Sequence, residues 1–387
     1  MIILEDGSVS ELMQCYLEDS GQPVMATKRA RALVDAGRHL TLVDPEEAMA
    51  RVNAGERLYT MAETHLGWIR AHLTRPDMAD AIKVFKDKQL MRERLAPLYP
   101  DFRYRSVTAE ELLSMPCPVH ELPCIVKPSV GFLSAGVYPV RSRADWDHAV
   151  ASIRRQSLEW ASRYDETVVD WGRFLIESLI EGEEYAIDAW YDDAGEAQIT
   201  DILHHEFAGP QDSSDRLYTT GPQIIRTQLE PMTRFLNEAN RYVGARCFPV
   251  HVEVRVADGC VYPIEFNPLR FAGMGGTEVS WYAYGHLGFD AFLNDRRIDW
   301  DSALARCGDD DLYCLTCLNP EEGTPSSEAL DYSAVAKLFS TVLSFTPFEL
   351  ASSGFFGFMF WKTSARDSTE RQRLLNLDLS PYLHPAS

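Results

Sequence analysis

The sequence is short of positive charge. It contains 37 Lys and Arg residues against 58 Asp and Glu residues, which gives a formal net charge of −21. A broad surface for nucleic acid or for an anionic membrane needs an excess of basic residues, so we expect neither as a partner. An anionic ligand would have to be held by a few local cations or by backbone N–H groups.

Long apolar runs are also missing. The most apolar stretch, residues 354–362 (GFFGFMFWK), is much shorter than the roughly 20 residues that a membrane-spanning helix needs, and we interpret it as a buried strand. The opening segment MIILEDGSVSEL lacks the basic start of a signal peptide. These features predict a cytoplasmic protein.

Cysteine patterns that would define a disulfide framework or a zinc site are incomplete. Eight cysteines are scattered along the chain, which is typical of reduced thiols in the cytoplasm. Cys314 and Cys317 have a metal-type spacing, and Cys307 lies nearby, but no second pair follows. We therefore favour ordinary buried thiols over a zinc or redox site.

Several common catalytic motifs are absent. The sequence contains no G-x-S-x-G nucleophile elbow, no P-loop and no H-E-x-x-H zinc motif, and its first 75 residues lack the G-x-G-x-x-G dinucleotide fingerprint. The chemistry must therefore depend on another set of side chains.

The first 75 residues alternate short apolar runs with helical patterns. Gly37 and Gly55 stand where glycines end helices, and Asp44 followed by Pro45 is a typical helix start. The alternation predicts a small βαβα domain with a parallel sheet over residues 1–76.

Beyond Pro76 the pattern changes to helices and then to paired strands. Met78, Ile82 and Phe85 share one helix face, and we expect a second helix to begin at Asp87. The following strands are joined by short turns, with helices between them, so the fold class is α/β followed by α+β. We place a second domain over residues 77–171 and a third over 172–387, with a long polar loop at 206–222.

The stretch HVEVRVADGCVYPIEFNPLR (residues 251–270) places acidic side chains inside apolar strands. Because strand side chains alternate, His251, Glu253 and Arg255 share one face, and Glu265 and Asn267 share a face of the next strand. Burying carboxylates is costly unless a cation offsets their charge. The pattern therefore indicates a cationic ligand between the two strands.

The loop decides whether the two faces coincide. A two-residue Asp258-Gly259 turn would place Glu265 on the opposite face, whereas a three-residue loop over residues 257–259, with Gly259 left-handed, puts all the acids on one side. We expect the three-residue loop. Two carboxylates and an amide oxygen suit Mg²⁺, or Mn²⁺, carrying substrate phosphates. The alternative is a solvated polar face with the valines turned inward.

Four stretches of the sequence follow one another in a characteristic order: FKDK, IVKPSVGFLSAGV, FLIESLIEGEEYAID and HVEVR…YPIEFNPLR. Together they resemble the motifs of the ATP-grasp superfamily. The resemblance covers residues 78–276, and the opening βα segment resembles the domain that usually precedes them. It implies an ATP-grasp fold and an ADP-forming ligase that uses ATP with Mg²⁺ or Mn²⁺.

The resemblance assigns roles to individual residues. Lys88 and Lys127 would bind phosphates, together with a loop that contains Ser134 and Gly136. Glu177 and the backbone of Ser178 and Ile180 would face the adenine, and Glu184 would accept from the ribose hydroxyls. The residues implied as metal ligands are Glu253, Glu265 and Asn267.

Arg270 is the implied partner of an acyl phosphate and of the oxyanion that follows. Here the chain departs from the family pattern, because the family commonly has Asn-Pro-Arg and this chain has Asn-Pro-Leu-Arg. Arg255, on the ligand face, is a second candidate for this catalytic role. We interpret His251 as a structural residue, and Trp281, Tyr282 and Tyr284 as core residues rather than pocket walls.

The leading functional hypothesis is a carboxylate–amine ligase. Such an enzyme uses ATP to activate a carboxylate as an acyl phosphate, which an amine then attacks to form an amide or peptide bond; amino-acid-like molecules are the expected substrates. The alternatives are carboxylation of a purine precursor, phosphorylation, or a non-catalytic ATP-binding module. The expected partners are small molecules, and a homodimer is common among soluble enzymes of this size.

Overall fold

The computed structural model describes residues 1–5, 7–131, 136–160, 170–209, 212, 214–321 and 323–385. The N-terminal part forms a parallel sheet with helices between its strands, in the order β3-β2-β1-β4, which confirms the predicted small α/β domain. Its elements are β1 (Ile2–Ile3), α1 (Glu11–Ser20), β2 (Pro23–Met25), α2 (Lys28–Asp35), β3 (Thr41–Val43), α3 (Pro45–Asn53), β4 (Tyr59–Thr60) and α4 (Leu66–His72).

Two consecutive helices follow this domain. They are α5 (Pro76–Lys86) and α6 (Lys88–Leu95), and a 3-10 turn at Ala96–Leu98 comes next. Asp87 separates the helices, because its backbone is extended and its carboxylate accepts hydrogen bonds from the N–H groups of Gln89 and Leu90. The predicted restart at Asp87 is confirmed, and it fixes Lys88 at the first position of α6.

A four-stranded antiparallel sheet comes next, in the order β5-β8-β6-β7. It comprises β5 (Tyr104–Thr108), α7 (Ala109–Ser114), a 3-10 turn at Val119–Glu121, β6 (Cys124–Val130), β7 (Tyr138–Val140), α8 (Arg143–Trp160) and β8 (Asp170–Ser178). The domain boundary that we set after residue 171 falls inside β8. Because β8 lies between β5 and β6, we propose that this subdomain continues to Ser178.

The largest unit is an eight-stranded antiparallel sheet in the order β13-β12-β9-β10-β11-β14-β17-β16. Its strands are β9 (Glu183–Tyr191), β10 (Ala197–Glu206), β11 (Leu217–Thr220), β12 (Phe248–Ala257), β13 (Cys260–Pro268), β14 (Asp311–Cys317), β16 (Val342–Pro347) and β17 (Gly357–Ser364). The apolar stretch at 354–362 thus contributes to a buried strand, as predicted.

Helices and a small two-stranded sheet accompany the large sheet. The helices are α9 (Pro222–Val243), α10 (Val279–Tyr284), α11 (Gly288–Leu293), α12 (Trp300–Leu304), α13 (Tyr332–Ala336), α14 (Leu350–Ser353) and α15 (Thr369–Leu375). The 3-10 turns are Gly273–Glu278 and Ser380–Tyr382, and the small sheet pairs β15 (Glu328–Leu330) with β18 (Leu383–Pro385). Among the described residues, no helix is long and apolar enough to cross a membrane.

The predicted loop at 206–222 is interrupted by a strand. Residues 217–220 form β11, whose backbone pairs with β10 on one side and β14 on the other. Its four residues are all buried. The polar composition around this segment concealed a strand that is only four residues long.

Cys314 and Trp281 test two further predictions. Cys314 is buried on β14, and the described residues contain no group of three or more His, Cys, Asp or Glu side chains that could hold a metal ion. The expectation of buried thiols is therefore right for Cys314, while Cys307 and Cys317 are half-buried.

The prediction that Trp281 belongs to the core is wrong, since 43% of this residue is exposed. Helix α10 buries Tyr284 against the large sheet and turns Trp281 away from it.

Phe85 connects α5 to the large sheet directly behind the candidate site. Its ring stacks on Phe266 of β13, with 4.6 Å between the ring centroids, and also contacts Phe248 and Tyr191. All four rings are buried. This aromatic contact fixes the strand that carries Glu265 against the helix that leads to Lys88.

We expect Phe85→Ala to lower the free energy of unfolding by about 3–5 kcal/mol, since it removes a buried aromatic ring and leaves a cavity. Chemical denaturation monitored by tryptophan fluorescence measures the change. Val119→Ala, at a position that is 62% exposed, is the control and should change stability by less than about 0.5 kcal/mol. Equal effects of the two variants would contradict this view of the core.

Candidate functional site

The hairpin of β12 and β13 brings the two acidic side chains directly opposite each other. Glu253 pairs with Glu265 across the strands, and His251 pairs with Asn267. The connecting turn, however, has two residues, Asp258 and Gly259, which are both left-handed with φ of 50° and 76°. The expected three-residue loop is therefore wrong, because a two-residue turn of this kind matches the twist of the strands.

A β-bulge restores the arrangement that the short turn would otherwise prevent. The register shifts between Glu253 and Val254: Val254 pairs with Pro263, and Ile264 is the extra residue. Pro263 has no N–H group and cannot complete the hydrogen-bond ladder, so the irregularity falls beside it. The bulge moves Glu265 back to the face of Glu253.

The two carboxyl groups have unequal surroundings. The Nζ atom of Lys88 lies 2.5 Å from Glu265 Oε2, and the side-chain amide of Asn267 donates to Glu265 Oε1 at 3.1 Å. Burial and the neighbouring charge of Glu265 raise the pKa of Glu253 to about 7. Burial also acts on Glu265, but the charge of Lys88 outweighs it and keeps the pKa of Glu265 well below its usual range.

This donor set fits a hard divalent cation. The Glu253 and Glu265 side chains keep 22% and 18% of their surface exposed, so a ligand can reach them. Carboxylate and amide oxygens are the ligands that Mg²⁺ prefers in proteins. The set contains only two acids, and the third oxygen comes from Asn267. A cation there would offset the charge that now raises the pKa of Glu253.

Asp188 supports Glu253 through His251. Its Oδ1 lies 2.7 Å from His251 Nδ1 and accepts a hydrogen bond from the backbone N–H of Ala272 at 2.8 Å. His251 Nε2 in turn lies 3.7 Å from Glu253 Oε1. His251 therefore has the structural role expected of it. Asp188 escaped sequence analysis because it lies 63 residues from His251.

Lys127 and Glu177 meet in a buried ionic cluster. Lys127 Nζ is 2.9 Å from Glu177 Oε2, and Arg92 donates to both oxygens of Glu177 at 2.9 Å. Burial raises the pKa of Glu177, but Arg92 and Lys127 outweigh this effect and lower it to about 2. Arg92 was not predicted, because it comes from α6, 85 residues away. The Glu177 carboxylate is thus engaged by two cations.

The segment after β8 carries the residues assigned to the adenine. The Ser178 N–H donates to Arg103 O at 2.9 Å, and Ile180 O accepts from Arg255 at 3.2 Å. Glu184, which is assigned to the ribose, also contacts Arg255. His205 Nδ1 lies 2.8 Å from its carboxylate, and Arg255 lies 2.7 Å from it.

Arg255 contacts residues that the resemblance assigns to the nucleoside. Its two recorded acidic and carbonyl partners, Glu184 and Ile180, are both residues assigned to the nucleoside. Arg255 lies on the same face of β12 as Glu253, two residues further along, because the extra residue of the bulge belongs to β13. The contact with Glu184 favours a supporting role for Arg255, and its catalytic role stays a prediction.

Arg270 is buried against the N-terminal domain. Its Nε donates to Glu63 at 2.9 Å, and Glu63 also pairs with Lys86. The extra residue of the Asn-Pro-Leu-Arg sequence, Leu269, is left-handed with a φ of 65° and donates to Pro249 O. This turn absorbs the additional residue before the chain reaches Arg270.

The loop between β6 and β7 is described only at its two ends. Ser134 lies outside the described residues, while Gly136 is left-handed with a φ of 75°. At the other end, Gly131 O accepts a hydrogen bond from Lys86 at 3.1 Å. The loop therefore begins beside the residues that connect Arg270 to the N-terminal domain.

Residues 120–278 match the sequence model of the ATP-grasp domain. Together with the fold, this match identifies the central part of the chain as an ATP-grasp domain and confirms the resemblance seen in the motifs. No curated protein matches the chain.

Several solved structures share the fold over nearly the whole chain. An L-amino acid ligase from Bacillus licheniformis is 18% identical, has a TM-score of 0.67, and aligns over 99% of this chain and 97% of its own. N5-carboxyaminoimidazole ribonucleotide synthetase from Thermotoga maritima is 15% identical, with a TM-score of 0.60 and coverage of 100% and 99%. Biotin carboxylase from Campylobacter jejuni is 9% identical, with a TM-score of 0.61 and coverage of 94% and 87%.

Glu278 gives the site a pH-dependent stability. Burial raises the pKa of this carboxyl to about 7, against the effect of its hydrogen bond from Ser10. The folded state therefore holds a proton that the unfolded state loses at an ordinary carboxyl pKa, so stability should fall between about pH 4.5 and pH 7.

As the pH rises to 8, the wild type should lose up to about 3 kcal/mol of unfolding free energy because Glu278 must become charged. Glu278→Gln should not show this loss, so it should gain stability relative to the wild type as the pH rises. Denaturation at pH 5, 6, 7 and 8 measures it. Glu110→Gln, at an exposed position, is the control and should follow the wild type. A constant difference between Glu278→Gln and the wild type at all four pH values would contradict the expectation.

Proposed function

We propose that the protein is an ATP-dependent carboxylate–amine ligase that forms an amide or peptide bond through an acyl phosphate. The observation that supports this most directly is the acidic pair Glu253 and Glu265, directly opposite each other, with Lys88 against one of them. Such a pair can hold a divalent cation beside the phosphates of ATP.

The nucleotide would extend from the acidic pair to the segment after β8. In this proposal Lys88 and Lys127 neutralise phosphate charge, and Ser134 and Gly136 also bind the phosphates. Ser178 and Ile180 present backbone groups to the adenine, and Glu184 accepts from the ribose hydroxyls. Glu177 acts indirectly, because its carboxylate holds Lys127 and Arg92 in place.

Glu253, Glu265 and Asn267 would hold Mg²⁺ or Mn²⁺, which neutralises the charge that develops during phosphoryl transfer. Lys88 now makes the closest recorded contact with Glu265. When ATP binds, this lysine would turn from the carboxylate toward the phosphates. Arg270, held by Glu63, would stabilise the oxyanion on the substrate carboxylate.

Amino-acid-like substrates are the proposed class. The fold shared with an L-amino acid ligase over 99% of this chain supports this class. The fold shared with N5-carboxyaminoimidazole ribonucleotide synthetase keeps carboxylation of a purine precursor as the second candidate. We further propose a cytoplasmic enzyme of small-molecule substrates, without nucleic-acid or membrane partners, that forms a homodimer.

The function is tested by phosphate release from Mg²⁺-ATP with the twenty amino acids, singly and in pairs, followed by mass analysis of the products. We expect ADP, phosphate and a product whose mass is that of two amino acids less one water. Phosphate release only with bicarbonate and an aminoimidazole ribonucleotide would replace this function with the second candidate.

Glu265→Gln should reduce turnover by at least about 100-fold, because it removes a charged metal ligand. The measurement is steady-state phosphate release with Mg²⁺-ATP. Glu196→Gln, at an exposed turn position, should retain wild-type turnover. Unchanged turnover of Glu265→Gln at saturating ATP would contradict this role for Glu265. A wild type without turnover, in which Glu265→Gln only weakens Mg²⁺-dependent ATP affinity, would indicate a binding module instead.

Lys127 should make ATP affinity depend on pH. Burial lowers the pKa of its ammonium to about 8, although Glu177 acts in the opposite direction. Because the group loses its charge above this value, affinity for a nonhydrolysable ATP analogue with Mg²⁺ should fall by up to about tenfold between pH 7 and pH 9. Calorimetry measures it.

Lys127→Met should bind the ATP analogue more weakly at pH 7, and its affinity should no longer depend on pH. Lys83→Met, at an exposed position of α5, should keep the wild-type affinity and its pH dependence. An unchanged pH dependence in Lys127→Met would show that another group is responsible.

A further inference from the structure

Two buried aspartates face each other on neighbouring strands of the large sheet. Asp188 of β9 pairs with Asp201 of β10 across the antiparallel ladder, and both residues are 0% exposed. Side chains of directly opposite residues lie on the same face of a sheet, with about 4.5–5.5 Å between their Cβ atoms. The two carboxyl groups are therefore close neighbours without access to solvent.

Each carboxyl group has one oxygen with partners and one without. Asp188 Oδ1 lies 2.7 Å from His251 Nδ1 and accepts from the N–H of Ala272 at 2.8 Å. Asp201 Oδ1 accepts from the hydroxyl of Thr220 at 2.7 Å and from the next backbone N–H. In both residues Oδ2 is buried and has no hydrogen-bond partner within the described part of the chain. Buried acceptors without a donor are costly, so the two Oδ2 atoms need a group that joins them.

His251 is the one cation that compensates the pair. It forms an ion pair with Asp188, and none is recorded for Asp201 among the described residues. The other titratable or charged groups that face the pair from the packed elements are Tyr59 of β4, Arg270 after β13, Tyr284 of α10 and His286 after α10. Arg270 is engaged by Glu63, and burial lowers the pKa of His286, which favours its neutral form. If both aspartates were ionised, one negative charge would therefore stay uncompensated.

A proton removes this charge and supplies the missing donor. An ionised carboxylate only accepts hydrogen bonds, whereas a protonated carboxyl group donates through its O–H. Burial raises the pKa of Asp201 well above its usual range; the hydrogen bond from Thr220 opposes this effect, and the charge of Asp188 adds to it.

A metal ion would be the other way to join two acceptors. Mg²⁺ and Ca²⁺ need about six or more oxygen ligands. Over the residues that the structure describes, no group of three or more His, Cys, Asp or Glu side chains could hold a metal ion. The geometry therefore favours the proton.

We propose that Asp201 holds a proton in the folded protein and donates it to Asp188, and that it thereby acts as a positioning residue for the cation site. Asp201 is the donor because its recorded partners are neutral, whereas Asp188 faces the imidazole of His251. This role rests on the cation site of the proposed function, and it applies to a ligase and to a binding module alike.

The shared proton acts on the cation site through two contacts. With both of its oxygens bound, Asp188 is held against His251, whose Nε2 lies 3.7 Å from Glu253 Oε1. Partners behind a metal ligand orient it, and their loss typically costs about 10- to 100-fold in metal affinity or activity. Asp201 therefore stabilises the orientation of Glu253 without contacting the cation.

Infrared spectroscopy at pH 8 tests the proton itself. The difference between the wild type and Asp201→Asn should contain the carbonyl band of an un-ionised carboxyl group, because the variant has an amide in its place. Asp35→Asn, at an exposed position of α2, is the matched control and should show only the loss of an ionised carboxylate. A difference spectrum of Asp201→Asn that equals that of the control would overturn the inference.

Calorimetry with Mg²⁺ and a nonhydrolysable ATP analogue tests the positioning role. Asp201→Ala should need about 10- to 100-fold more Mg²⁺ for half-maximal binding of the analogue, since it leaves Asp188 without its donor. Asp201→Asn should stay within about threefold of the wild type, because its amide N–H can donate in place of the carboxyl O–H. If Asp201→Ala does not fold, Asp188→Asn replaces it and should raise the Mg²⁺ requirement similarly, because it removes the charge opposite His251.

Two results would overturn the positioning role while the ligase function stands. One is an Asp201→Asn variant that is as impaired as Asp201→Ala, which would show that Asp201 is needed as a charge. The other is an equal Mg²⁺ requirement in all variants. Failure of the proposed function is distinguishable, because a wild type that releases no phosphate would still bind the analogue with Mg²⁺. Binding that is independent of Mg²⁺ in the wild type would refute the cation site, and the positioning role with it.

Discussion

The pairing of Glu253 with Glu265 across one hairpin is the constraint on which the rest of the candidate site depends. Two partly buried carboxylates so close together need positive charge, and the surrounding structure supplies it from distant segments. Lys88 arrives from the start of α6, while His251 lies between Glu253 and the buried Asp188. The helix break at Asp87 matters because it places Lys88 beside Glu265, and Asp188 matters because it holds His251 beside Glu253.

Cations around the site are themselves held by buried acids, which explains how an acidic protein can bind an anionic nucleotide. Glu177 holds Arg92 and Lys127, and Glu63 holds Lys86 and Arg270. Each cluster fixes basic side chains that would otherwise cost free energy to bury. The overall charge of −21 is therefore compatible with a local phosphate site.

Sequence patterns predicted the local features of this site and missed the distant ones. Strand alternation correctly predicted that Glu265 and Asn267 share a face, and capping chemistry located the break at Asp87, since both depend on neighbouring residues. The alignment of Glu265 with Glu253 depends on the bulge at Ile264, which was not predicted. Arg92 and Asp188 were missed because their partners lie 85 and 63 residues away, beyond the reach of any periodicity. The strand β11 was missed because pairing on both sides, rather than composition, defines it.

The hairpin also shows how two irregularities can cancel. The tight turn at Asp258-Gly259 and the surplus residue at Ile264 each change the parity of the strand count by one, and together they leave Glu265 beside Glu253. Deletion of Ile264 would remove the bulge and still leave Glu265 opposite Glu253, whereas deletion of one turn residue would shift the register by one residue and move Glu265 to the opposite face. The hairpin should therefore tolerate loss of its bulge better than loss of a residue from its turn.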